Sequence, residues 1–303
     1  MGKLTTGLAV LIVLGAGGAW VLSAPAGPLP ASALAGLTPD PVHGATIFAI
    51  AGCASCHAAP DAAYSLTPVL SGGEAFASDF GTFMAPNISP DPVQGIGAWT
   101  DAQIISAMQH GVDDGGSHLY PAFPYASYNK ASLQDMVDLV AFWRTLPASD
   151  VPSQPHQVGF PFSIRRAVGM WKLLFNSTDF VVQGDLTAEQ TRGRYLVESL
   201  GHCAECHTPR NALGGLSRGQ WLSGAPNPSG EGRIPNITPG GLTWEAGQIA
   251  EYLKSGFTPE FDTAGGAMAE VVKNTAQLSD EDRAAIASYL KIVPAIASAP
   301  VVP

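Results

Sequence analysis

The strongest constraint on this chain is a Cys-x-x-Cys-His motif that occurs twice, at residues 53–57 and 203–207. The two copies use all four cysteines of the 303-residue sequence. The thiols of such a motif can form thioether bonds with the vinyl groups of a haem, and the histidine behind them can bind the iron. The thiols predicted to attach two haems are those of Cys53, Cys56, Cys203 and Cys206. The proximal iron ligands are predicted to be His57 and His207.

Two other uses of paired cysteines fit the surrounding sequence poorly. A zinc site needs two further cysteine or histidine ligands at a characteristic spacing, and neither motif has them nearby. A thioredoxin-like redox pair is expected beside a βαβ pattern, which the flanking residues do not show. Two covalently bound haems therefore remain the prediction.

Composition limits the kind of partner. The chain has a formal net charge of −10 and a pI near 5.0, whereas nucleic-acid binding requires a basic surface. The acidity fits a soluble surface, or docking to a protein with a basic face.

The 34 glycines and 25 prolines, with only 13% charged residues, are typical of long loops folded over a buried cofactor. A chain of this length can form two domains of ordinary size.

The N-terminus carries an apolar segment. Lys3 precedes an uncharged run from Leu4 to Leu22, which is close to the length that crosses a bilayer and has Trp20 near its outer end. Residues 1–23 are therefore predicted to be a membrane anchor, with a cleaved signal peptide as the alternative. Residues 24–37, rich in proline, alanine and glycine, are predicted to be a tether. Either way, the rest of the chain is predicted to be exported.

The second half of the chain repeats the first. The matched pairs are Cys53 and Cys203, Pro86 and Pro235, Trp99 and Trp244, and Gly111 and Gly256. Their separation drifts from 150 to 145 residues, as expected for a duplicated domain. We predict domain 1 at residues 38–148, a connector at 149–185, domain 2 at 186–294 and a tail at 295–303.

Apolar periodicity and capping residues predict helices in both units. One helix leads into each Cys-x-x-Cys-His motif, a second follows the matched tryptophan and a third closes the unit. The predicted N-terminal caps are Thr38 or Asp40, Thr100, Ser132 and Thr187. Ser163–Phe175 in the connector is predicted to contain a short helix that packs one domain against the other.

These features carry a resemblance to a known family. The strings that match it are APNISPDP, GIGAW, LYPAFPYASY, CHTPRNALGG and FDTAGGAMAEVV. Each half resembles a class I cytochrome c domain. The whole chain resembles the membrane-anchored dihaem c-type cytochromes that serve as electron-transfer subunits of periplasmic alcohol, aldehyde or sugar dehydrogenases. The resemblance implies an all-α fold of two tandem class I cytochrome c domains behind an N-terminal transmembrane helix.

The resemblance also implies a function and a location. The protein is expected to be an electron-transfer protein rather than an enzyme, with a periplasmic dehydrogenase as donor and a quinone, an oxidase or another cytochrome as acceptor. It is expected at the periplasmic face of the bacterial inner membrane, or soluble in the periplasm if a signal peptide is removed. The alternative function is a haem enzyme with an open haem 1, such as a dihaem peroxidase.

The distal iron ligands differ between the halves. The resemblance implies that Met268, in the loop before the last helix, binds the second iron. Subtracting the local repeat offset of 145 from Met268 leads to Phe123, and phenylalanine cannot bind iron. Three outcomes remain for haem 1: ligation by His118, ligation by Met84, or a five-coordinate iron. Met108 and His110 are weaker candidates. Bis-histidine ligation would give haem 1 the lower potential, so electrons would pass from haem 1 to haem 2.

Other residues are implied to lie near the haems. The resemblance implies that Asn87 and Asn236, with Trp99 and Trp244, line the propionate edges. Arg210, three residues after His207, is a candidate to neutralise a propionate through a charge-assisted hydrogen bond.

Overall fold

The structure, a computed structural model, describes residues 11, 14–15, 17–228 and 232–298. The helices are α1 Pro41–Ile50, α2 Cys53–His57, α3 Asp101–His110, α4 Tyr125–Tyr128, α5 Leu133–Trp143, α6 Ala167–Phe175, α7 Ala188–Tyr195, α8 Ala204–His207, α9 Ala246–Ser255, α10 Ala267–Thr275 and α11 Asp280–Leu290. A π-helical turn at Leu196–Leu200 extends α7, and 3-10 turns lie at Ala31–Leu34 and Arg218–Gln220. The strands are β1 Ala75–Ser78, β2 Gly81–Met84, β3 Ala225–Pro226 and β4 Arg233–Ile234.

The first and last helices of each half pack against one another at a glycine. Helix α1 packs on α5, and α7 packs on α11. A Cβ atom on Gly44 would lie 1.9 Å from the carbonyl oxygen of Asp138, and one on Gly193 would lie 1.9 Å from that of Ala285. Only glycine permits these two approaches. The glycines lie 149 residues apart, so the duplication extends to this helix contact, which the sequence analysis missed.

The predicted caps are confirmed. Asp40, rather than Thr38, caps α1 by accepting hydrogen bonds from the N–H groups of Val42 and His43. Thr100 and Thr187 each form a reciprocal capping box with the glutamine three residues later. The side chain of Ser132 caps α5. The helices that lead into both motifs, the helix after Trp99 and the helix that closes the first half therefore start at the residues that the sequence indicates.

The structure is helix-rich as predicted, and it adds two short strand pairs that the sequence did not indicate. Strands β1 and β2 form an antiparallel pair, and so do β3 and β4. Helices α4 and α10 lie before the last helix of each half, in a region whose glycines and prolines predict turns and where Met268 is expected in a loop. Gly266 adopts φ 55° and α10 begins directly behind it. The connector helix begins at Ala167 rather than Ser163.

The buried apolar residues of both halves form one cluster. Cys53, Ala54, Cys203 and Ala204 pack against it or within it. Both motifs therefore lie where the two halves meet.

Much of the predicted anchor or signal segment, residues 1–23, lies outside the described residues. Residues 17–22 are described and helical. Across the part of the chain that the structure describes, no helix is long and apolar enough to cross a membrane.

The tether lies along domain 1, where the N–H of Leu29 donates to the Ser106 hydroxyl at 2.7 Å.

Candidate haem sites

The two proximal histidines have equivalent partners. The Nδ1 atom of His57 lies 2.9 Å from the carbonyl oxygen of Pro86, and that of His207 lies 2.8 Å from the carbonyl oxygen of Pro235. A carbonyl can only accept, so Nδ1 carries the proton and Nε2 keeps its lone pair for iron. Burial lowers the pKa of both imidazoles, although the carbonyl partner acts in the opposite direction. Each ring is therefore held neutral in the tautomer that a proximal ligand needs.

Equivalent backbone hydrogen bonds hold the loops around the two proximal histidines. The N–H of Gly72 donates to the His57 carbonyl at 2.7 Å, and the N–H of Gly224 donates to the His207 carbonyl at 2.8 Å. Gly72 has φ 72° and Gly224 has φ 86°, a left-handed conformation that favours glycine. The two proximal pockets are thus built alike although their loop sequences differ.

The four thiols are free to form thioether bonds. None of the cysteines forms a disulfide. Burial raises the pKa of Cys53 and of Cys203 to about 12 and that of Cys56 to about 11. Before attachment these groups are therefore neutral thiols at physiological pH. Repulsion from Cys206 also raises the pKa of Cys56, which indicates that the two motifs lie close together.

The distal loops align residue for residue. A single β-bridge joins Val112 to His118 in domain 1, and its counterpart joins Phe257 to Thr263 in domain 2. Both members of the second bridge lie 145 residues after those of the first. This offset makes Phe123 the counterpart of Met268. Both side chains are partly buried and pack against the apolar core.

Met268 lies at the second position of α10, not in a loop as predicted. It carries the sulfur that the second haem site would use as distal ligand. The ring of Phe123 lies 5.7 Å from that of Tyr128 and 6.5 Å from that of Tyr125. An aromatic cluster therefore stands in domain 1 where domain 2 has the thioether.

The structure places His118 against the N-terminal segment. The side chain is only 3% exposed, and its Nε2 atom lies 2.9 Å from the carbonyl oxygen of Ser23. A Cβ atom on Gly169 would lie 2.8 Å from the same Nε2. Bis-histidine ligation through Nε2 would require this loop to release Ser23. Burial and the nearby Lys172 lower the pKa of His110, and the backbone of Gly27 acts in the opposite direction, so both histidines of this region lie beside residues 23–27.

Met84 ends β2. Its backbone N–H donates to the Nδ1 atom of His156 at 3.1 Å. Strand side chains alternate, so the side chain of Met84 lies on the opposite face from Phe83, whose ring packs against Tyr120 and His156. Met84 is partly buried but is not part of the apolar cluster that includes Phe123 and Met268. Met108 is buried within that cluster.

The predicted propionate residues divide into two groups. The Asn87 amide donates to the carbonyl oxygens of Ser149 and Val151 at 2.8 and 2.7 Å. The Asn236 amide donates to the carbonyl oxygen of Ile296 at 2.7 Å. Both asparagines thus tie a proximal loop to the chain behind the last helix of its half, and their place along the propionate edges stays a prediction.

The tryptophans differ from the asparagines. Among the described residues, the indole N–H groups of Trp99 and Trp244 have no hydrogen-bond partner, whereas that of Trp143 donates to Ile88 at 2.6 Å. Trp99 and Trp244 thus remain candidates to bind a propionate. Arg210 donates to the Gly214 carbonyl at 2.8 Å and forms an ion pair with Glu205, so its charge is already paired within the chain.

The two motifs lie beside one another across the domain interface. The amide of Asn274 in α10 donates to the hydroxyl of Ser55, between the first pair of cysteines, at 2.9 Å. The Ser127 hydroxyl in α4 donates to the carboxylate of Glu205, between the second pair, at 3.3 Å. Each motif is therefore held by a side chain from the opposite half.

A third contact joins the helices that lead into the motifs. The Tyr128 hydroxyl donates to the carbonyl oxygen of Ala51 at 2.8 Å. The Nε2 atom of His202 lies 3.2 Å from the same oxygen, and its ring meets that of Tyr128 edge to face at 5.6 Å. The last residues before both motifs are thus fixed together.

The donor set fits two covalently attached haems. Each half offers two free thiols and a neutral imidazole whose Nδ1 is bound to a carbonyl. The candidate distal residues, Phe123 and Met268, pack on the core. These features define a protein of two cytochrome c domains. Residues 42–147 match the family described as Cytochrome c, and residues 188–290 match the family described as Cytochrome C oxidase, cbb3-type, subunit III.

Comparison with whole proteins shows the family. The chain is 57% identical over 294 residues to a protein called Diheme cytochrome c-type from Cereibacter sphaeroides, and the alignment covers 97% of this chain and 99% of that protein. The chain belongs to this family of dihaem c-type cytochromes, and it carries two covalently bound haem c groups.

Cytochrome subunits of larger enzymes are also similar to this chain. It is 38% identical to the fructose dehydrogenase cytochrome subunit of Gluconobacter japonicus, over 95% of this chain and 59% of that protein. It is 33% identical to the gluconate 2-dehydrogenase cytochrome c subunit of Pantoea cypripedii, over 79% of this chain and 56% of that protein. The chain thus spans little more than half the length of these two relatives.

Proposed function

We propose that this protein is an electron carrier with no substrate of its own. It accepts electrons from a periplasmic dehydrogenase and delivers them to a quinone, an oxidase or another cytochrome. The observation that carries this proposal is the packing of each motif against the opposite domain, in which Asn274 of α10 donates to Ser55 of the first motif at 2.9 Å. Bound haem supplies one-electron transfer at its iron, and the interface keeps the two attachment sites adjacent.

The similarity to dehydrogenase cytochrome subunits supports the choice of donor. Fructose and gluconate dehydrogenases are named among the relatives, and both relatives are cytochrome subunits. The acidic surface of this chain, with a net charge of −10, suits docking to a basic face on a partner. We infer a dehydrogenase partner of the same general kind, without assigning its substrate.

The two domains have different tasks in this proposal. Met268 supplies a thioether to the second site, and thioether ligation raises the potential of a haem. In domain 1, Phe123 occupies the equivalent position and His118 is bound to Ser23 at 2.9 Å. We infer that the distal loop of domain 1 supplies no iron ligand, so that domain 1 has the lower potential and domain 2 delivers the electron.

The apolar run of residues 4–22 supports a membrane location. We propose that it anchors the protein at the periplasmic face of the inner membrane. The described end of this segment, residues 17–22, is helical and exposes Trp20, Val21 and Leu22. Anchoring would place the carrier beside membrane-bound acceptors.

Turnover assays on the purified, haem-loaded chain test the carrier proposal. A carrier is expected to be oxidised once by peroxide and then to consume no more, and to leave alcohols and sugars unchanged without a dehydrogenase. The ring of Phe123, packed against Tyr128, is expected to keep peroxide from the first iron. The matched control is the Met268→Gly variant, which removes the proposed ligand and leaves the second site open to peroxide. Sustained peroxide consumption by the unaltered chain would overturn the carrier proposal in favour of a haem enzyme.

A further inference from the structure

Helix α6 presents an apolar face to solvent. Along this nine-residue helix, Met170, Leu173 and Leu174 follow the i, i+3, i+4 spacing of one helical face. Leu173 is 56% exposed and Leu174 is 66% exposed. The segment before the helix adds Phe160, Phe162 and Ile164, of which Phe160 is 84% exposed. Large exposed apolar side chains grouped in one short stretch of chain favour an interaction site. We call these six residues the α6 face.

The same helix holds the end of the N-terminal apolar segment. The Arg166 guanidinium donates to the Ser23 hydroxyl at 3.1 Å and to the Trp20 carbonyl. Its carbon lies 4.4 Å from the centre of the Trp20 ring. A Cβ atom on Gly169 would lie 2.2 Å from the Ser23 carbonyl oxygen, so glycine is required for this close approach. The α6 face and the end of the predicted anchor therefore lie next to one another on the surface of the protein.

The charge of the region differs from that of the rest of the chain. Residues 151–176 contain three of the 15 basic side chains, Arg165, Arg166 and Lys172, and none of the 25 acidic ones. The three cations lie behind the α6 face, where Arg165 stacks on Tyr120 and Lys172 donates to the Gly111 carbonyl. A positive segment within an acidic protein is attracted to an anionic lipid surface.

We propose that the α6 face lies on the membrane surface, with its apolar side chains inserted among the lipid head groups. The proposal rests on the membrane anchor under Proposed function and adds a second, monotopic contact. A face that inserts beside the anchor would fix the orientation of both domains relative to the bilayer. A dehydrogenase subunit is the competing occupant of the α6 face. Its binding would explain neither the contact with the anchor nor the positive charge of this region.

Thiol labelling tests the proposal directly. The four native cysteines are blocked as thioethers in the haem-loaded chain, so Leu174→Cys introduces the one reactive thiol. The matched control is Phe261→Cys, at an apolar residue of domain 2 that is 89% exposed. Each variant is placed in nanodiscs of phosphatidylcholine and phosphatidylglycerol and treated with a charged maleimide. Its labelling rate is divided by that of the same chain unfolded in urea.

The expected result is labelling at position 174 that is about tenfold slower than in the unfolded chain, with little slowing at position 261. Full reactivity at position 174 in chains that elute with nanodiscs would overturn this proposal and leave the anchor intact. Chains that do not elute with nanodiscs would overturn both. Protection at position 174 that appears only after a dehydrogenase subunit is added would assign the face to that protein.

Discussion

At the scale of single residues, Phe123 distinguishes the two halves more than any other side chain described. The β-bridges Val112–His118 and Phe257–Thr263 put it in register with Met268. The nearby histidine is bound to the Ser23 carbonyl at 2.9 Å and is buried by α6. The distal loop of domain 1 therefore binds the N-terminal segment, whereas the corresponding segment of domain 2 carries the thioether of Met268.

Placing a methionine at position 123 should give both halves a thioether at the distal position. Phe123→Met is expected to raise the lower of the two reduction potentials, because thioether ligation favours the reduced iron. Spectroelectrochemical titration of the purified protein measures both potentials. The matched variant is His118→Ala, which should leave the lower potential unchanged. A large upward shift in the His118→Ala protein would instead identify His118 as a ligand.

At the scale of secondary structure, two glycine contacts hold the first and last helices of the halves together. Gly44→Ala and Gly193→Ala would each drive a Cβ atom to 1.9 Å from a backbone carbonyl oxygen. Each substitution is expected to lower the free energy of unfolding by about 3 kcal/mol, the upper range for overpacking. Chemical denaturation of the haem-loaded variants measures this effect.

A helical glycine with free space around it provides the control. Gly247 in α9 has no neighbour within 4 Å of its Cβ position. Gly247→Ala should leave stability unchanged or raise it by up to about 1 kcal/mol, because alanine restricts the unfolded chain and favours the helix. Equal losses at positions 44 and 247 would contradict the packing argument.

The α1–α5 contact also contains a buried acid. Asp138 accepts hydrogen bonds from His43, from the N–H of Asp40 and from Gln134. Burial raises the pKa of this carboxyl, but the three donors outweigh burial and hold the pKa below its ordinary value of 3.8. Because the folded-state pKa is the lower one, its contribution to stability is complete above pH 3.8 and is lost as the pH falls through the folded-state value.

Asp138→Asn should therefore lower the free energy of unfolding at neutral pH by about 2 kcal/mol. The variant should also lose less stability than the parent between pH 4 and pH 2. Denaturant unfolding across this pH range measures both effects. Asp114→Asn, at an exposed carboxyl in a loop, is the control and should change neither. A parallel pH profile for parent and Asp138→Asn would contradict this role.

The sequence was a good guide wherever short-range chemistry decides the structure. The motifs, the caps at Asp40, Thr100 and Thr187 and the repeat register follow from local residue types. The distal side was predicted less well because it depends on contacts between distant segments. The partner of His118 is Ser23, 95 residues away, and the partners of Asn87 lie more than 60 residues away. No local pattern predicts such contacts.

At the scale of the whole molecule, the domain interface brings the two motifs together. Asn274 binds Ser55, and Ser127 binds Glu205. The double variant Asn274→Ala, Ser127→Ala should weaken this interface and slow electron exchange between the domains, while the spectrum of each haem stays unchanged. Pulse radiolysis measures the exchange rate. Gln277→Ala, which removes an exposed hydrogen bond from Gln277 to α10, is the control. An unaltered rate of electron exchange in the double variant would show that these contacts do not set the distance between the two haems.

The central claim is that one molecule holds two haems of unequal distal ligation. Near-infrared magnetic circular dichroism of the oxidised, haem-loaded protein tests it most directly, because a methionine–iron bond gives a characteristic charge-transfer band. We predict one such band, with the intensity of a single haem, that disappears in Met268→Leu. Two bands, or a band that survives Met268→Leu, would contradict it.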